Sequence, residues 1–188
     1  MLAVAIAVPA VVSAAPKKKA PSIPSCKRLS ATSMAKVLGT GPLKLFGRTA
    51  NLCSWKGKKA GHYDQAVGVD IIPGIPSIYA TAEADGMKAA AKNDETFGTL
   101  SARHNPWKAA FFVTGTVTDA GLAPCSAKHK LPKFGPPTCS GDPEWTTFNV
   151  DSYDSKLMVS VAVAAQHGDV QLSHVIELNE EVLSRKIR

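Results

Sequence analysis

Asn51-Leu-Cys-Ser-Trp-Lys56, the turn Gly57-Lys-Lys-Ala-Gly61 and the run from Tyr63 to Ile72 together decide how this chain folds. In the first segment side chains alternate. Leu52, Ser54 and Lys56 fall on one side of an extended backbone, Cys53 and Trp55 on the other. Two glycines flank the lysine pair and supply a turn. The third segment centres on Ala66-Val67-Gly68-Val69-Asp70-Ile71-Ile72, which is apolar enough for the interior of a sheet. The pattern predicts a β-hairpin whose second strand is central.

Working outward, Glu144 to Val150 and Lys156 to Ala165 alternate around Asp151-Ser-Tyr-Asp-Ser155, which predicts a second hairpin. Asp suits such a turn because its carboxylate accepts bonds from nearby backbone N–H groups. Ala109 to Thr118 is rich in β-branched and aromatic residues and predicts another strand. Three helices are expected. Ser30 to Gly39 has a capping serine, a terminal glycine, and Met34, Val37 and Leu38 on one face. Ser77 to Asn93 is alanine-rich, with Gly86 as a weak point in its middle. Asp169 to Ile187 carries the stripe Leu172, Val175, Ile176, Val182 and Leu183. The sum is an α+β domain: an antiparallel sheet of about five strands with helices packed on one face, held by two disulfides. A cysteine followed closely by tryptophan and a hairpin occurs twice, at Cys53/Trp55 and Cys139/Trp145, a faint echo of two halves.

The ends of the chain set the environment. Met1 to Ala14 is uncharged, almost wholly apolar, and closes on Val12-Ser-Ala14, as an export signal with a small-residue cleavage site does. Residues 15–25 hold three prolines and three lysines and read as a flexible linker, which leaves 26–188 as the single domain. The expected localisation is secreted or extracytoplasmic cell envelope. In such a compartment four cysteines are disulfide partners before they are metal ligands. They permit three pairings, of which Cys26–Cys53 with Cys125–Cys139 is the most local. The proline- and glycine-rich segment 119–143 reads as a long loop pinned by the second pair. A zinc site is not expected, because there is no Cys-x-x-Cys and no pair of histidines at ligand spacing.

Cys26-Lys-Arg-Leu-Ser30 with its helix to Leu38-Gly39, followed by Cys53-Ser-Trp55 entering a hairpin, resembles the opening of a family of exported actinobacterial proteins. That domain occurs in many lipoproteins of mycobacteria and their relatives and has no assigned function. The resemblance covers 26–72 clearly and the closing hairpin and helix loosely. It implies an α+β sandwich with an antiparallel sheet, a disulfide between Cys26 and Cys53, and no catalytic residues. Two features depart from the family. One is the Cys125/Cys139 pair. The other is the absent lipid-attachment motif: Ile23-Pro-Ser-Cys26 follows Lys17 to Lys19, not an apolar run.

The net charge of +7 is unevenly spread: residues 1–63 hold eleven Lys and Arg and no acid. Such asymmetry favours an anionic surface, lipid or wall polymer, as partner of the basic N-terminal part, with no specific nucleic acid implied. No nucleophile elbow, zincin, phosphate-loop or EF-hand pattern is present. The sequence therefore names no catalytic residue, metal or cofactor. The five histidines read as ordinary surface groups, and Asp142, Glu144, Asp151 and Asp154 as loop and turn acids. Arg103-His-Asn-Pro-Trp107-Lys108 reads as a polar loop, in which Trp107 flanked by Arg103 and Lys108 is a candidate contact for a ligand. A Trp107 folded back on the sheet edge is the competing reading. The expected function is a non-enzymatic binding domain for a small ligand, an envelope component or a protein. An electrostatic docking module, or a hydrolase whose site assembles only in three dimensions, are the alternatives.

Overall fold

The computed structural model describes residues 25–49, 51–58, 62–73, 76–100 and 107–184. The expected signal segment, all of the linker except Ser25, and Arg103 lie outside these residues. A 3-10 turn at Ser25–Lys27 leads into α1 (Ala31–Leu38), β1 (Lys44–Arg48), β2 (Leu52–Gly57), β3 (Gln65–Pro73) and α2 (Pro76–Asn93). Then come β4 (Thr96–Leu100), β5 (Ala109–Val117), β6 (Trp145–Tyr153), β7 (Leu157–Gln166) and α3 (Leu172–Ser184). The strands form one antiparallel sheet of seven, in the order β1-β2-β3-β7-β6-β5-β4. The α+β class and both disulfides are as expected, Cys26–Cys53 and Cys125–Cys139. The strand count of about five is corrected to seven.

The two additional strands, β1 and β4, are the edges of the sheet. An edge strand has one neighbour and often one solvated face, so apolar alternation is not required of it. β1 is mostly exposed and its register slips between Leu45 and Gly47. β4 is Thr-Phe-Gly-Thr-Leu, with no fully buried residue.

Register fixes which side chains share a face, because directly paired residues point the same way. Cys53, Val69, Val161, Val150 and Phe112 lie in one cross-strand row. Trp55, Val67, Val163 and Phe148 form the next row on that face. The face joins Met34 and Leu38 of α1 and Val175, Leu178 and Val182 of α3 in one core. α1 is placed by its ends: Ser30 Oγ accepts from Ser33 N at 3.0 Å, and Gly39 turns left-handed at φ 59°. Asn179 of α3 is fully buried, donating to Val150 O at 2.9 Å and Val159 O at 3.2 Å and accepting from Ser152 Oγ. Arg28 Nη1 donates to Val182 O at 2.9 Å, near the end of α3.

α2 packs on the opposite face, where Tyr79 meets Phe111 and Tyr153 at ring distances of 5.7 Å. The expectation that all helices share one face is therefore corrected. The alanine-rich helix is thin, and Gly86 lets it approach: a Cβ there would lie 3.0 Å from the Phe111 ring. The two tryptophans of the sequence echo fall on opposite faces, Trp55 under α1 and α3 and Trp145 under the long loop. The echo is thus no repeated packing unit.

Candidate functional site

The α2 face changes character along its length. At the α2 end, β3, β7 and β6 place Asp70, Ser160 and Asp151 side by side. Asn149, two residues before Asp151 on the same strand, donates to the Asp151 carboxylate and accepts from Ser160 Oγ at 3.0 Å. Burial pushes the Asp151 carboxyl up to about 7 against the opposing pull of Ser160 and Asn149, and the neighbouring charge of Asp70 adds to the rise. Asp70 is raised by burial too. The Tyr79 hydroxyl is likewise pushed up, by burial first and then by Glu83 and Asp151. The sequence placed Asp151 in a hairpin turn. That is corrected: β6 runs three residues past Val150, Asp151 is 5% exposed, and the turn acid is Asp154. Asp154 Oδ1 accepts from Lys156 N and Leu157 N, both at 2.8 Å. An acid sealed this way can store a proton but cannot reach a substrate.

Beyond the end of α2 the sheet is open. The helix stops at Asp94, which adopts φ 57°, and Glu95 N bonds back to Ala90 O at 2.8 Å. Gly115 leaves room for Glu95 to lie against β5; a Cβ there would sit 2.6 Å from Glu95 Cγ. Across from this helix end stands the 119–143 loop. Its Phe134 meets Trp145 edge-on at 4.8 Å, and Trp145 meets Tyr63 at 5.5 Å. Lys56 Nζ lies over both Phe46 and Phe134, at 4.9 and 4.7 Å. The space between is a cleft of about 290 Å³ lined by Asn93, Asp94, Glu95, Thr116, Phe134, Pro136, Trp145 and Thr147 among others. It joins an aromatic wall to carboxylate, amide and hydroxyl groups.

The loop that carries Phe134 is pinned at several points. Cys125–Cys139 closes it, Ser140 N bonds Ala123 O at 2.8 Å, and Asp64 N bonds Lys133 O at 2.7 Å. At its centre the buried Asp142 carboxylate accepts from Thr138 N at 2.9 Å and Thr138 Oγ1 at 2.8 Å. Its other oxygen lies 2.7 Å from His129 Nε2. Burial alone would raise the Asp142 carboxyl, but the two Thr138 bonds and His129 hold it below its ordinary value. Cys125, His129, Cys139 and Asp142 bring their four potential ligand atoms within 4.8 Å of one another.

Trp107 does not stand out from a loop. It is 5% exposed and belongs to the main core, which corrects the exposed contact residue. Lys108 is exposed, and its N–H bonds Tyr153 O at 2.8 Å. The structure brings together instead the neighbours Asp94 and Glu95 with Phe134, which lies far from them in sequence. The only sequence signal for them was that a lengthy loop carried a disulfide of its own. Among the described residues no helix is long and apolar enough to cross a membrane. The chain matches no family model and no curated protein.

Proposed function

We propose that this chain is an extracytoplasmic, non-enzymatic binding domain that takes a small hydroxylated ligand, of the sugar class, in the cleft between the end of α2 and the 119–143 loop. The observation that carries this is the convergence of an aromatic ring, Phe134, with the acceptors of Asp94 and Glu95 over a part of the sheet left uncovered. A ring face matches the C–H surface of a sugar, and paired carboxylates match its hydroxyls. Two disulfides favour an oxidising compartment. The Cys26–Cys53 bond is the one implied by the resemblance to exported actinobacterial domains. Titration of the chain with a panel of neutral mono- and oligosaccharides, followed by NMR or calorimetry, tests the proposal. Saturable binding that falls at least about fivefold in Phe134→Ala and in Glu95→Gln is expected, since each removes an interaction of roughly 1–3 kcal/mol. Absence of saturable binding, or binding indifferent to both substitutions, overturns it.

A second reading has its own observation. On β1, Leu45 and Phe46 are 51% and 57% exposed between Lys44 and Arg48, with Lys56 and Lys58 nearby. Apolar side chains among cations suit docking on an anionic lipid surface. Sedimentation with anionic vesicles that weakens as salt rises, and weakens in Phe46→Ser, is its expected signature.

A further inference from the structure

We propose that Cys125, His129, Cys139 and Asp142 form a thiol-gated metal site, closed as a disulfide when oxidised and able to hold a zinc-like divalent cation when reduced. The disulfide accounts for two of these four residues. It does not account for a histidine and a buried carboxylate converging on the same sulfurs, because disulfide sulfur has no hydrogen to donate to Asp142. Two thiolates, an imidazole and a carboxylate are a donor set that zinc accepts in tetrahedral geometry. The spacings are those of metal knuckles in mixed form, Cys125-x3-His129 and Cys139-x2-Asp142. A search for like pairs, Cys with Cys or His with His, passes over them.

The geometry asks for small movements. Sulfurs each about 2.3 Å from a tetrahedral metal sit roughly 3.8 Å apart, and nitrogen and oxygen ligands at about 2.1 Å sit roughly 3.4 Å apart. The four atoms already lie within 4.8 Å, so the sulfurs separate and the His129–Asp142 pair opens from 2.7 Å to admit the ion. Thr138 holds the carboxylate in place from behind through Asp142 Oδ2, as an outer partner of a ligand does. Reduction supplies the site. A dithiol gives two electrons to the Cys125–Cys139 bond and becomes a cyclic disulfide, leaving two thiols. The cation then displaces both thiol protons to water, and His129 binds as the neutral imidazole. Each disulfide has a partly exposed cysteine that a reductant can reach, Cys26 in the first and Cys125 in the loop, so the two are told apart by mapping the thiols.

The test uses the full chain. It is reduced with dithiothreitol under anaerobic conditions, freed of reductant, and titrated with Co2+. Uptake of one Co2+ per chain with a thiolate-to-cobalt charge-transfer band, displaced by Zn2+, is expected. The oxidised chain should show none. His129→Ala should weaken binding at least about tenfold, and its fold in the oxidised state is checked by circular dichroism. Alkylation mapping gives an independent reading: in the reduced chain Zn2+ should shield Cys125 and Cys139 and leave Cys26 and Cys53 as reactive as without it. Failure of the reduced chain to take up Co2+, affinity unchanged in His129→Ala, or Zn2+ shielding Cys26 and Cys53 instead would overturn the proposal.

Discussion

On the α1/α3 face of the sheet, Val67, Val69, Ile71, Val159, Val161 and Val163 are essentially inaccessible to solvent. On the α2 face, the intervening positions are Gly68, Asp70, Ser160 and Ala162, all partly exposed. The same strands thus carry two faces with different tolerances. The first is closed over its central rows, where the buried Asn179 has its bonds matched, and its one poorly matched amide, Gln65, sits at the very start of β3. The second keeps two carboxyls raised by burial, one thin alanine-rich helix as its cover and an open cleft. A face that must only be stable can be finished in valine. A face that is left polar and half covered is where binding and proton storage can reside.

The sharpest way to break that contrast is pH. Asp151 has a folded-state value near 7, above the ordinary carboxylate value near 4. The folded chain therefore binds more protons between those values, and stability falls as pH rises through that window. Below about 4 the contribution is fully present, and above about 7 it is lost. Three units correspond to at most about 4 kcal/mol. Asp151→Asn should flatten this slope and leave the variant more stable than the parent at pH 8, measured by urea unfolding across pH. Asp70 titrates in the same row, so the slope belongs to the pair and some of it should survive the substitution. A parent slope that Asp151→Asn leaves unchanged would mean the row is not where the proton sits.

The sealed face should respond to size and not to pH. Leu178 is fully buried between α3 and the sheet, and Leu178→Ala should cost about 3 kcal/mol at every pH, through lost contact and the cavity left behind. An effect under about 1 kcal/mol would show that α3 can settle into the gap, and that this face is less rigid than its burial implies.

How much of this contrast was legible in the sequence follows from the same physics. Burial of alternate residues writes a pattern, so β2, β3, β5 and the helices were readable, as was the local disulfide pairing. Edge strands need no such pattern, and β1 and β4 went unseen. A strand that stays polar on one face looks like a turn when it meets Asp, which is why Asp151 was misplaced. The α3 stripe did carry a clue: Leu172, Val175, Ile176, Val182 and Leu183 leave Asn179 at the centre of the apolar side. The cleft depended on Asp94, Phe134 and Trp145 meeting across long stretches of chain, which no local pattern records.

Phe134 tests the join between loop and sheet. Its ring contacts Trp145 and Lys56, and Phe134→Ala should cost roughly 1–1.5 kcal/mol. The loss should be larger in protein whose Cys125–Cys139 bond has been reduced, because the loop then has fewer ties to the sheet. Chemical unfolding of both redox forms measures this, and equal losses would mean the disulfide and the aromatic contact hold independent parts of the loop.

The smallest expected effect separates structure from function at the rim of the cleft. Asp94 holds a left-handed φ of 57°, which a side chain with a Cβ adopts at a cost and glycine does not. If Asp94 were there only to end α2, glycine would serve better. Asp94→Gly should therefore stabilise the fold by about 0.5–1 kcal/mol, a rise of roughly 1–4 °C in Tm. Asp94→Asn keeps a residue that tolerates this backbone while removing the charge. Both variants should lose affinity for the cleft's ligand if the carboxylate touches it, so that one gains stability and loses binding in the same substitution. If Asp94→Gly gains stability and binding is untouched in both, the carboxylate is a helix terminator alone, and the acceptor role in the cleft falls to Glu95.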